Sequence, residues 1–278
     1  MTVLDATGRE LLVYPPADWH MPVRRIIGSA GFDQLYVAAR EGMVIRLALE
    51  RSEEALSYKA QTIYEAKDIH TISLSAQSQL LAVGHLGPGL AVLRTDGEVL
   101  WRRHPDEGNA TEARLWSVAL DAGGEYLYVG SATSGTNRLA ALEPRSASVC
   151  AYQYVEGMIT RVTVLPNTHA VAVTVNTPSS RRLVVYTAAL DDVIWERSFD
   201  VPVTALTADA EQPLLFAGVG YGGEIAAIDA HTGRTLASGV VLKSTINELA
   251  VAQAHTLVAA CQNGQVAFVD YISQEFHL

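Results

Sequence analysis

Six short segments of this 278-residue chain open on an apolar residue followed by positions that vary freely in chemistry. The second positions are Arg24, His70, Trp116, Thr160, Thr204 and Asn247; the third are Arg25, Thr71, Ser117, Arg161, Ala205 and Glu248. Three arginines, a histidine and a tryptophan at equivalent places can form a surface that holds an anion or a peptide, since Arg and Trp are common interface anchors. Arg24, Arg25, His70, Trp116, Arg161, Asn247 and Glu248 are therefore the candidate partner-binding residues. Trp116 stands out as a large aromatic, because the neighbouring segments carry smaller polar residues at its position. The alternative is a row of solvated rim positions.

Catalytic chemistry has little to work with. Histidines stand at 20, 70, 85, 104, 169, 231, 255 and 277, none spaced as metal ligands on a helix. No Gly-x-Ser-x-Gly elbow occurs. The run from Gly84 to Gly89 is glycine-rich, but Pro88 removes a donor and no helix follows, so it reads as a strand turn. The acidic loop Asp106–Glu112 could offer oxygens to a cation, yet it lacks the spacing of a calcium loop and reads as solvated. Asn109-Ala110-Thr111 fits a glycosylation sequon, which matters only for a secreted chain. The expectation is no catalytic residue, no metal ligand set and no cofactor.

The net charge is −10, which repels a phosphate backbone and argues against general nucleic-acid binding or an anionic membrane surface. No apolar run reaches the roughly 18 residues of a membrane span, and Met1–Asp5 does not open a signal peptide. Cys150 and Cys261 lie in apolar runs and read as buried free thiols. These features point to a cytoplasmic location. They leave open that the chain comes from a longer one.

The elements that must position the candidate residues form a repeat. The first strands start at Val23, Ile69, Leu115, Ile159, Val203 and Ile246, which lie 46, 46, 44, 44 and 43 residues apart. That period is close to the roughly 40–45 residues of a four-stranded propeller blade. Second strands follow, several ending in Ala or Gly, where small residues let neighbouring blades approach. Third strands end at turns such as Thr95-Asp96-Gly97 and His231-Thr232-Gly233, which carry hairpin chemistry. The expected fold is all-β: one β-propeller domain over 1–278, with four-stranded antiparallel blades near 23–64, 69–104, 113–155, 159–200, 203–242 and 246–278.

The segment Ile228-Asp229-Ala230-His231-Thr232-Gly233-Arg234-Thr235-Leu236 resembles the repeat of quinoprotein-like (PQQ-like) propellers, and the blade pattern resembles a divergent WD-repeat protein. The Trp-Asp dipeptide of WD repeats is missing, and Gly84-His85 follows a second strand, the wrong place for that signature. The resemblance therefore implies the fold and no functional residue.

Val3–Leu12 matches the same segment in kind and reads as a third-and-fourth-strand hairpin within residues 1–19. Either it closes the ring by completing a sixth blade that otherwise ends in the weak strand 274–276, or it is half of a seventh blade whose other half comes from beyond Leu278 or from a partner; the strand count favours seven. The functional expectation is a non-enzymatic scaffold that holds protein or peptide partners on the top face and funnel. The alternative is a channel-sited enzyme or small-ligand binder of the lyase, hydrolase or quinoprotein kind.

Overall fold

Runs that alternate apolar and polar residues, broken by Gly- and Asp-bearing turns, dictate strands. The computed structural model describes residues 2–4, 10–13, 23–29, 33–39, 42–51, 56–85, 89–103, 114–133, 136–166, 168, 170–252 and 255–271, all of them in strands, turns or loops. Among these residues no helix is long and apolar enough to cross a membrane. The loop Asp106–Glu112, the sequon, strand 274–276 and His20, His104, His169 and His277 lie outside the described residues.

β1 (Thr2–Leu4) and β2 (Glu10–Val13) pair as an antiparallel hairpin. Blade 1 holds β3 (Val23–Gly28), β4 (Gln34–Ala39), β5 (Met43–Arg51) and β6 (Leu56–Glu65). Blade 2 holds β7 (Ile69–Ser75), β8 (Leu80–His85), β9 (Leu90–Arg94) and β10 (Val99–Arg103). Blade 3 holds β11 (Arg114–Leu120), β12 (Leu127–Thr133), β13 (Thr136–Leu142) and β14 (Val149–Val155). Blade 4 holds β15 (Met158–Leu165), β16 (Ala170–Asn176), β17 (Arg181–Thr187) and β18 (Val193–Phe199). Blade 5 holds β19 (Val203–Ala208), β20 (Leu214–Val219), β21 (Glu224–Asp229) and β22 (Thr235–Val240). Blade 6 holds β23 (Ile246–Ala252), β24 (Thr256–Cys261) and β25 (Val266–Asp270). Each sheet is a meander in chain order, and the sixth shows three strands among the described residues.

The chain divides into two compact units, residues 1–115 with 122–124, and residues 116–121 with 125–278. In the first, Tyr36, Ala38 and Val44 of blade 1 and Ile72, Leu81 and Val83 of blade 2 share one core. In the second, three cores lie in series between blades 3 and 4, 4 and 5, and 5 and 6. The second strands supply the most buried side chains, with Val37, Val83, Val129, Val173 and Ala217 all at 0% exposure.

One second-strand position alternates in size along the chain: Tyr36, Ala82, Tyr128, Ala172, Phe216, Val258. The large members reach the following blade. The Tyr128 hydroxyl donates to the Ala188 carbonyl at 3.0 Å, and the Phe216 ring lies 4.8 Å from that of Tyr271. Large facing small lets adjacent sheets interdigitate at native packing density.

Candidate functional site

The first strands share a defect in their pairing. The register shifts between Val23 and Arg25, Ile69 and Thr71, Ile159 and Arg161, Val203 and Ala205, and Ile246 and Glu248. The skipped residues are Arg24, His70, Thr160, Thr204 and Asn247, all in the predicted row. Each is a β-bulge, which frees one residue from the ladder and re-aims its side chain. The bulge stands where the first strand pairs with the end of the second, so the row marks the blade end that bears the turns between second and third strands. Arg24 and Asn247 are exposed; His70, Thr160 and Thr204 are half-buried. Trp116 is the third residue of β11, and its side chain lies outside the described residues.

The row divides between the two units. Arg24, Arg25 and His70 lie in the first, on the neighbouring strands β3 and β7. Arg161, Asn247 and Glu248 lie in the second, where the structure joins two of them. The Arg161 guanidinium donates from Nη2 to the Asn247 carbonyl at 3.2 Å and from Nη1 to the Thr160 carbonyl at 3.2 Å. The first bond runs from blade 4 to blade 6, passing the first strand of blade 5.

Blade 4 is built differently beneath this arginine. Opposite the third position, the other blades place Ala38, Gly84, Gly218 and Ala260, whereas Thr174 faces Arg161. Thr174, fully buried, bonds the Thr160 hydroxyl at 2.7 Å, and the Asn176 amide donates to Thr160 Oγ1 at 3.2 Å. This polar knot fixes the bulge that carries Arg161. At the corresponding place in blade 5 a small residue is needed: a Cβ on Gly218 would sit 3.1 Å from Cβ of Ile246 in blade 6.

Sequence reading missed the apolar part of this blade end in the second unit. Tyr221 is 69% exposed in the turn Gly220-Tyr221-Gly222-Gly223, and Val201, 40% exposed, packs beside Gly220. The Gly220 amide donates to the Pro202 carbonyl at 2.8 Å, tying the turn to the start of β19. A lone aromatic between glycines was the available signal, but attention to strand positions passed over the turns.

Other candidate residues resolve into structure. The Asp229 carboxylate accepts from the His231 amide at 3.0 Å, the Thr232 amide at 2.8 Å and the Thr232 hydroxyl at 2.9 Å, so the quoted repeat segment is a capped hairpin turn. It packs under Trp195, whose indole N–H donates to the Ala230 carbonyl at 2.8 Å. Cys261 is buried as expected, but Cys150 is exposed, because it lies on the outward-alternating face of the outer strand β14, with Tyr152 and Tyr154. Among the described residues no three His, Cys, Asp or Glu side chains gather as a metal site.

His85 ends β8 in a buried cage. Its Nδ1 donates to the Lys67 carbonyl at 2.9 Å, the only role a ring nitrogen can take there, which leaves Nε2 to accept from the Tyr64 hydroxyl at 3.1 Å. Burial pushes its pKa below the ordinary histidine value; the Lys67 bond opposes this and the Arg102 charge adds to it. The unfolded chain takes up this proton near pH 6.5 and the folded chain does not, so stability falls with pH below about 6.5. The Glu143 and Asp229 carboxyls, held low by amide and hydroxyl donors against the raising effect of burial, act only at lower pH. Thermal melts from pH 7.5 to 5.5 should show a decline in the wild type that His85→Asn reduces.

No protein-family model matches the chain, and no curated protein sequence matches it. Solved structures do. A chain in the crystal structure of the mitotic checkpoint complex superposes with a TM-score of 0.73 at 13% identity, over 95% of this chain and 79% of that one. The Dos1 propeller gives a TM-score of 0.66 at 15% identity, over 96% of this chain and 72% of that one. The fold is that of a β-propeller. At these identities the likeness carries the fold of the propeller and not its partners.

Proposed function

We propose that this propeller is a non-enzymatic binding module that takes protein or peptide partners on the blade end bearing the bulge row. The carrying observation is Tyr221, a large aromatic 69% exposed beside the exposed Val201, at the blade end where Arg161 reaches Asn247. An aromatic, an aliphatic and a guanidinium on a glycine-shaped rigid frame are the makings of an interface centre. In the first unit the same row offers Arg24, Arg25 and His70, and Trp116 and Glu248 belong to it by position in the second. That a similar fold occurs within a mitotic checkpoint complex accords with a role in assemblies.

Capture of partners from the source cell by the immobilised propeller tests this. Tyr221→Ala combined with Arg161→Ala should weaken the captured partner at least about tenfold, the scale of truncated interface anchors; Tyr221→Ala alone should leave the melting temperature little changed, whereas Arg161→Ala also removes the bonds to the Asn247 and Thr160 carbonyls and should lower it. Unchanged affinity would remove the site from this blade end, and a propeller that captures nothing would count against a binding module altogether. Adding Trp116→Ala measures what that residue contributes.

A further inference from the structure

We propose that the groove between β6 and β10, in the first unit, is a second peptide site that takes an extended segment carrying an acidic and a basic side chain on one face. The groove holds about 280 Å³ and is lined by Thr62, Ile63, Tyr64 and Glu65 from β6 and Val99 and Arg102 from β10.

Its centre is a guanidinium on a fixed platform. Cζ of Arg102 stands 4.7 Å from the centroid of the Tyr64 ring. That ring is 5% exposed and its hydroxyl is anchored to His85, which is anchored in turn to the Lys67 carbonyl. Stacking uses one face of the guanidinium and leaves its N–H edge for a planar acceptor, the geometry a carboxylate fits in two-point fashion.

Glu65 lines the same groove, and among the described residues neither Arg102 nor Glu65 is joined to the other or to another charged side chain. Blade 4 shows the contrast. Arg102 lies opposite Ala91, as Glu196 lies opposite Val184, but Glu196 is neutralised within its own sheet by Arg182 at 3.1 Å. Two opposite charges held apart in one groove, with Ile63 and Val99 as apolar wall, match a ligand with the complementary pair. In an extended peptide, residues i and i+2 share a face about 6–7 Å apart, which supplies that pair along one strand. A ligand with one charge of each sign also escapes the repulsion that a chain of net charge −10 exerts on anions.

The test is titration of the whole chain with capped pentapeptides, followed by calorimetry and by amide shifts of β6 and β10. Ac-Ala-Asp-Leu-Lys-Ala-amide should bind saturably, and its Asn/Gln counterpart more weakly by about tenfold for each of the two charge-assisted contacts it loses. Arg102→Gln and Glu65→Gln should each lose about that factor; both side chains are exposed, so their melts should match the wild type. Tyr221→Ala should leave this binding unchanged, which separates the groove from the blade-end site. No saturable binding, equal binding of the uncharged peptide, or indifference to Arg102→Gln would each overturn the proposal.

Discussion

Leu215→Asp is expected to abolish the cooperative thermal transition of the second unit. Leu215 is 0% exposed in β20, at the centre of the core shared by blades 4 and 5, with Leu183, Val185, Leu206 and Ile228 in the same cluster. None of these offers a donor to a carboxylate. The backbone of Leu215 is taken up in the ladder opposite Ala208 and Ile228, so it cannot turn to help. An unpaired charge there costs several kcal/mol beyond the roughly 2–5 kcal/mol of lost leucine packing. The sum rivals the whole stability of an ordinary domain, about 5–15 kcal/mol. Circular dichroism melts should show a broad or missing transition. Val266→Asp is the control: it introduces the same charge in a strand of the same kind of sheet, at a residue 47% exposed, and should change stability by less than about 1 kcal/mol.

Much of this architecture was legible because it repeats. A first strand recurring every 43 to 46 residues located all six sheets, since a blade cannot bury its faces alone and the period records the stacking unit. The same alignment lines up the second positions, and the bulge explains why their side chains vary: a residue outside the ladder is released from the size and polarity that pairing imposes. The alternation from Tyr36 to Val258 was equally present in the letters. It stayed hidden because it spans two blades, and a single-repeat template averages large and small into one apolar position. Cys150 was misjudged for a related reason. Outer strands read as apolar, yet in β14 Cys150, Tyr152 and Tyr154 alternate onto the exposed face, which no further strand of the blade covers.

The turn glycines show how far identity in sequence can diverge in energy. Gly223 and Gly264 occupy equivalent turns between second and third strands of blades 5 and 6, at φ of +81° and +85°. Alanine at either must enter the left-handed region, at a cost of about 1 kcal/mol. Gly264 meets nothing further, since no atom lies within 4 Å of its would-be Cβ. Gly223 would drive its Cβ into the Leu242 carbonyl, and its own carbonyl accepts from the Val241 amide at 3.0 Å, so the segment leaving β22 cannot retreat without losing the clasp. Leu242 is in turn part of the core between blades 5 and 6. Gly264→Ala should therefore cost about 1 kcal/mol and Gly223→Ala about 3 kcal/mol or more, as strain of this kind adds to the backbone cost. Urea unfolding with a common m-value would read the difference directly. Equal losses would mean that the segment after β22 yields freely, and that the clasp holding Tyr221 at its blade end is weaker than its hydrogen bonds suggest.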